Sequence, residues 1–383
     1  MRKYGLRNKK KDYGEKKIYV SNFDYSILFT VILLVLFGII MIFSASSYVA
    51  ATRSEYKHDM FLFLKKQTFA VSLGFVLMMF MANFNYRKLK KFAFGLYLLA
   101  NFLLLFVFAF GVVTKGARRW IYLPVIGSFQ PSELAKVAII LFISCLIANN
   151  KNILKDFSGH VFCAFFVFIT VILIALANLS TAIIVTLIGC GIIFIASPYT
   201  AIFFIMALCG AGGLVSYMAF FSKGFRGARF AAWLDPFSNP SETGYQIIQS
   251  LYAVASGGIF GLGLGQSRQK LGFLPEAHND IIFSIVCEEL GFFGAAMILI
   301  LFAILIWRGI KIAINATDLF GTLVASGIVI MIASQVIINV AVVTNSIPNT
   351  GVPLPFISYG GTSVAIMMML IGILLNISRY SRD

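Results

Sequence analysis

The sequence predicts an all-α polytopic membrane protein of about ten transmembrane helices, with a long extracytoplasmic loop between the seventh and the eighth. Three observations predict it. Hydrophobic residues fill 60% of 383 positions and charged residues only 12%, a balance that a water-soluble globule could not carry without large exposed apolar patches. Apolar runs recur at roughly the ~20-residue length that crosses a bilayer. The basic residues, which set a net charge of +16, cluster in short segments between those runs, as the positive-inside rule expects.

The elements follow in order. Residues 1–23 form a basic cytoplasmic tail with eight Lys and Arg before Asp24. The apolar run behind it is too long for a signal-peptide core and has no small-residue cleavage site, so it reads as an uncleaved first helix. The membrane domain, 24–378, holds spans at roughly 25 to 48, 62 to 83, 92 to 113, 130 to 149, 158 to 177, 179 to 197, 200 to 221, 281 to 306, 319 to 344 and 358 to 378. Residues 379–383 are a second tail. An even number of spans puts both termini on one side. With that side cytoplasmic, it collects 18 of the 31 Lys and Arg, all in short tails and loops.

Several classes fall away. Interspersed basic clusters between apolar spans do not make a nucleic-acid surface. The five cysteines, Cys145, Cys163, Cys190, Cys209 and Cys287, lie inside spans without CxxC spacing and read as small buried hydrophobes. There is no HExxH, zinc-finger spacing or nucleophile elbow. The run from Ser256 to Gly265 contains GxGxG but no following Lys and Ser/Thr, so close packing or a re-entrant turn accounts for it better than a nucleotide loop.

Thirteen basic residues remain on the outer side against the positive-inside bias. Most gather at the outer end of the second span, between Lys115 and Gln130, and in the loop 222–280. A wet cationic outer surface suits an anionic ligand. The middle of the long loop, 244 to 260, is apolar enough to dip back into the interface, where irregular backbone needs protein or a watery cavity around it.

Five constellations stand out on this side. In Pro275 to Asp280, an acid-bearing loop ends where the eighth span begins. Asp280 is either a helix cap or first-turn acid, or a general base toward a substrate hydroxyl; Glu276 and His278 crowd the same loop. Glu133 and Lys136, at i and i+3 near the outer end of the fourth span, form either an ion pair locking helices or part of a site. Arg118 and Arg119 beside Trp120 are interface anchors or a fork for phosphate. Arg226 and Arg229 precede Trp233 in the long loop, where solvated charge is the simpler reading. Past Pro348 to Pro355, the prolines and glycines before the last span fix a rigid turn whose freed backbone groups Ser358, Thr362 and Ser363 can satisfy.

Taken together, GARRW at 116 to 120, QPSELAK at 130 to 136, WLDP with GYQ at 233 to 246, PEAHND at 275 to 280, EELGF at 288 to 292 and PLPFISYGGTS at 353 to 363 resemble the SEDS family (shape, elongation, division and sporulation). The likeness spans nearly the whole membrane portion and is closer to the FtsW and SpoVE branch than to the RodA branch. It implies a peptidoglycan glycosyltransferase that polymerises lipid II at the outer face of the bacterial cytoplasmic membrane. It also implies a class B penicillin-binding protein as partner, alongside other division or sporulation membrane proteins. The resemblance carries the essential acid to Asp280, an arginine to Arg119, and a glutamate and lysine to Glu133 and Lys136, with a looser match at Arg226 and Arg229. His278 is a supporting residue of the same motif. Where many relatives have an acid entering the sixth helix, this chain has Asn178. A divalent cation, magnesium or manganese, is an expectation with no ligand cluster in the sequence behind it. A lipid flippase and a non-catalytic division scaffold are the alternative readings of the same charge pattern.

Overall fold

Nine helices among the described residues are long and apolar enough to cross a membrane. The structure is a computed structural model that describes residues 23–114, 117–123, 127–199, 232–238, 240 and 244–380. The basic tail 1–22, the span expected at 200 to 221, Arg226 and Arg229 lie outside them. The helices are α1 (Tyr25–Thr52), α2 (Leu62–Asn83), α3 (Ala93–Phe110), α4 (Pro131–Asn149), α5 (Phe157–Ala175), α6 (Leu179–Ala196), a shorter amphipathic α7 (Tyr245–Gly257), α8 (Ile282–Asn315), α9 (Leu319–Val343) and α10 (Gly361–Arg379).

Burial orders them. In α4, 83% of the apolar window is buried, against 33% in α3 and α5, so α4 runs through the middle while α3 and α5 turn Phe102, Phe108, Phe165 and Phe168 outward. A helix apolar all round belongs in the interior. α10 packs along α2 through small residues: a Cβ on Gly372 would stand 2.3 Å from the Met78 carbonyl oxygen. Close backbone approach of this kind is how helices associate where lipid removes the hydrophobic drive between them.

The expected third span is shorter than 92 to 113. It stops at Phe110, and the chain enters an antiparallel three-stranded sheet, β1 (Val112–Thr114), β2 (Ala117–Leu123) and β3 (Gly127–Phe129). No strand is expected from hydropathy, yet the composition of β2 explains it. Trp120, Ile121 and Tyr122 favour a pleated surface, and short alternation leaves little for an α-helical period. Along a strand successive side chains point to opposite faces, so Arg118 and Arg119 diverge. Arg118 is exposed and Arg119 is half-buried.

α8 is longer than its expected span, 34 residues, and is broken at Gly291 with φ 64° and ψ −162°. At 1.5 Å per residue the whole helix would measure about 51 Å against a hydrocarbon core of about 30 Å. The break sorts this out. Past Gly291, 292–315 runs about 36 Å and suffices to span; the preceding turns, from Ile282 to Glu289, are buried in protein. The carbonyls released at the break are taken up by the glycine-rich loop: Leu262 N–H donates to the Glu288 carbonyl and Gly263 N–H to that of Glu289, both at 2.9 Å. In return Phe292 N–H donates to the Gly258 carbonyl at 2.9 Å. The GxGxG run is thus a close-packed turn.

At the opposite end Asp24 caps α1, accepting from Ser26 N–H at 3.0 Å, and pairs with Arg308 of α8 at 2.7 Å. Asp318 caps α9 and accepts from the Tyr86 hydroxyl at 2.6 Å. These bonds tie the start of α1 to the far part of α8 and the start of α9 to the α2–α3 connection, and leave the other end of the bundle to the loops.

At Gly291 a Cβ would lie 2.4 Å from the Gly261 nitrogen, and the backbone there costs a non-glycine residue on the order of 1–3 kcal/mol. Gly291→Ala is expected to lower the melting temperature of the detergent-purified protein. Gly95→Ala, whose Cβ would meet nothing within 4 Å, is expected to leave it unchanged or raise it slightly. Equal melting of the two variants would show that the break needs no glycine.

Candidate active site

The loop 274–280 is built by its own backbone. Glu276 takes a left-handed φ of 53°, which lets Asn279 N–H donate to the Glu276 carbonyl at 2.9 Å. The turn drives Leu274, Ala277 and His278 into the core and leaves Asp280 partly exposed. The His278 ring packs on Phe63 of α2, centroids 4.4 Å apart, and edge-on to Tyr359 at 5.6 Å. Its carbonyl accepts from Tyr359 N–H at 2.9 Å. Burial pushes the imidazole down to about 4, with the Glu276 charge opposing part of the shift. His278 is therefore a neutral wedge joining α2, the acid loop and the turn before α10.

Asp280 does not cap α8. The N-cap is Ile281, with no side-chain cap hydrogen bond, so the capping reading gives way to placement of the acid beside the loop ahead of α10. A Cβ on Gly351, whose φ is 68°, would lie 3.4 Å from Asp280 Oδ2. The Asp280 carbonyl accepts from Asn339 Nδ2 of α9 at 2.6 Å.

α4 starts at Pro131, a residue suited to the first helical position because its missing N–H would have no partner there. One turn in, Glu133 Oε1 and Lys136 Nζ meet at 2.8 Å with side-chain exposures of 7% and 2%. Ser363 of α10 donates to the other Glu133 oxygen at 3.0 Å. The turn 353–363 thus bridges the two acid-bearing clusters, through Tyr359 to His278 and through Ser363 to Glu133. Ser358 does the expected backbone service, accepting from Leu354 N–H at 2.8 Å, whereas Ser363 serves the site.

Arg119 reaches from β2 to the end of α5, its Nε donating to the Ala177 carbonyl at 2.8 Å. Arg118 donates to the last carbonyls of α3. A cation at a helix C-terminus is favourable, so both arginines fasten helix ends while lining, with Val107, Phe108, Ser132 and Asn178, an open groove of about 360 Å³. Asn178 caps α6 by accepting from Thr181 N–H at 3.3 Å. A second, narrow recess lies between Gln335, Pro355, Phe356, Ser358 and Ser363.

A sequence model described as cell cycle protein, FtsW/RodA/SpoVE, matches residues 24–383. The chain belongs to the FtsW/RodA/SpoVE family. It is 42% identical over 371 residues to stage V sporulation protein E of Bacillus subtilis (strain 168), covering 94% of this chain and 98% of that protein. It is 40% identical over 370 residues to a probable peptidoglycan glycosyltransferase FtsW of Geobacter sp. (strain M18), covering 95% and 98%. Among solved structures it is similar to a chain from work on the structural coordination of polymerization and crosslinking by a peptidoglycan synthase complex, with a TM-score of 0.76 and 26% identity, covering 93% and 98%. The rod shape determining protein RodA of Thermus thermophilus shares the fold, with a TM-score of 0.69 at 24% identity, covering 94% of this chain and 98% of that one. Membership in the FtsW/RodA/SpoVE family and nine candidate spans make this an integral membrane protein.

In this FtsW/RodA/SpoVE chain the structure also holds residues that spacing alone did not single out. Glu289 of α8, fully buried, takes Lys270 Nζ at 2.8 Å and the Ser44 hydroxyl of α1 at 2.7 Å. Glu288 accepts from the Ser267 hydroxyl and from Arg268 N–H at 2.9 Å. These two acids hold the loop 261–274 onto the bundle. Two acids entering an apolar run are a readable signal; their partners, over 200 residues away in the case of Ser44, are not.

Two measurements separate support from chemistry. Breaking a buried ion pair from one side costs about 3–5 kcal/mol, so Glu133→Gln and Lys136→Met are each expected to destabilise the purified protein in a denaturation assay, and the double variant is expected to recover part of the loss. Single variants as stable as the parent would move the pair from lock to site. For His278, the unfolded imidazole titrates near 6.5 and the folded one near 4, so protonation favours unfolding between those values. Stability is therefore full above about pH 6.5 and falls by about 3 kcal/mol as pH drops to about 4. His278→Phe is expected to flatten that part of the pH–stability curve; an unchanged slope would assign it to other groups.

Proposed function

We infer that this chain is a peptidoglycan glycosyltransferase that polymerises lipid II at the outer face of the bacterial cytoplasmic membrane, serving septum synthesis in dividing or sporulating cells. The observation that carries the mechanism is the position of Asp280: a partly exposed carboxylate on a loop pinned from α9 and from the turn before α10. Near-full-length likeness to named peptidoglycan glycosyltransferases supports the reaction class. The excess of Lys and Arg in the tails and in the loops on their side supports cytoplasmic termini, which puts the Asp280 end outside.

In this reading the acceptor lipid II offers a neutral sugar hydroxyl and the donor strand carries a polyprenyl diphosphate on its reducing-end sugar. Asp280 takes the hydroxyl proton as its oxygen attacks the anomeric carbon. The carbon–oxygen bond to the diphosphate breaks, the leaving group departs with the electron pair, and the configuration inverts. In this reading Arg119, at the edge of an apolar groove, stabilises the diphosphate by contact. Lys136 is buried against Glu133 and contributes through local potential. Arg226 and Arg229 keep their expected role toward the same charge. Glu133, Lys136 and His278 position the turn 353–363 against the acid loop. Among the described residues no three His, Cys, Asp or Glu gather in one group, and no step is routed through a metal.

The crosslinking half of the assembly is supplied by a class B penicillin-binding protein, in keeping with the synthase complex whose chain this one is similar to.

Asp280→Asn keeps the shape and removes the base. Purified with its partner in detergent, the variant is expected to lose at least about 100-fold in lipid II polymerisation without losing thermal stability. Polymer made at the parental rate would end the base assignment, and absence of polymer from the parent protein under all conditions would favour flippase or scaffold.

A further inference from the structure

We propose that Asn339 is the positioning residue of Asp280, a single amide that fixes the distance between the acid loop and the loop that covers it. The proposal rests on the reading of Asp280 as general base. Asn339 lies one turn from the end of α9 and is 1% exposed. Its Nδ2 donates twice, to the Asp280 carbonyl at 2.6 Å and to the Val352 carbonyl at 2.8 Å. The amide has one orientation, because turned over it would set Oδ1 against two carbonyl oxygens at those distances.

Asp280 is not held by a helix cap, and a partly exposed acid on a loop needs some other constraint to stay within reach of a hydroxyl. Asn339 supplies it from both sides. One proton fixes the backbone of Asp280. The other fixes the backbone next to Gly351, whose open Cα faces the Asp280 carboxylate closely enough that a Cβ there would lie 3.4 Å from Oδ2. The spacing of acid and cover is thus set by the two hydrogens of one NH₂ group, on a rigid helix. The Oδ1 atom is buried without a hydrogen-bond partner among the described residues. The orphaned oxygen shows that the amide is kept for its NH₂ group, since an apolar side chain of the same size would fill the space but leave the Asp280 and Val352 carbonyls without that donor.

Asn339→Leu keeps the volume and removes both donors; Asn339→Asp keeps the shape and replaces the donors by a second acid. Each is assayed as the full chain in detergent with lipid II, alone and with a penicillin-binding protein, across a pH series, beside Asp280→Asn. The expected result is a fall in kcat of about 10- to 100-fold, with KM within about threefold. The midpoint of the rate–pH curve is expected to move by about half a unit or more, upward in Asn339→Asp through like-charge repulsion. The folded fraction is measured at each pH and the rate divided by it, so that loss of folded protein does not move the midpoint. Should Asn339→Leu not purify as folded protein, the isosteric Asn339→Asp decides. An unchanged midpoint with Asp280→Asn inactive overturns the positioning role alone; an active Asp280→Asn overturns it together with the base assignment.

Discussion

The break at Gly291 and the turn before α10 answer to one constraint: backbone N–H and C=O groups at membrane depth must find partners inside the protein, because hydrocarbon offers none. The exchange between the glycine-rich loop and the break at Gly291 meets that constraint reciprocally, each segment supplying the donors and acceptors that the other lacks. The turn before α10 meets it with Ser358 and with the His278 carbonyl. Once these segments are satisfied, they are also rigid. The end of the bundle that carries Asp280 is therefore made of loops whose backbone is bonded to the segments around it.

Charge is handled by the same logic. Glu289 with Lys270, Glu288 with Ser267, and Glu133 with Lys136 are buried and mutually satisfied, because an uncompensated ion in this setting is costly. Each such pair fastens the loop 261–274 to α8 or stiffens one end of a central helix. Asp280 differs in being partly exposed.

The arginines show how one residue serves both ends. Arg118 and Arg119 alternate along β2, and each lands on the C-terminal carbonyls of a helix, α3 or α5. In doing so they set cationic groups at the rim of an apolar groove.

Much of this was legible from the chain. Span length and hydropathy determined the polytopic class, the basic-residue bias determined the topology expected of it, and the motif spacing pointed to Asp280, Glu133, Lys136 and Arg119, since composition and local order are properties of the chain itself. Other features needed the folded structure. The sheet at 112–129 was invisible to hydropathy because short strands between glycines carry no helical period. Asp280 read equally well as a cap until the helix began one residue later, with Ile281 at the cap position. Lys270, an unexplained loop charge, became the partner of Glu289, and Asn339, one polar residue in an apolar helix, became the link between two loops. Which polar groups meet depends on how helices distant in sequence are packed, and that is decided only when the tertiary structure closes around buried groups that must be paired.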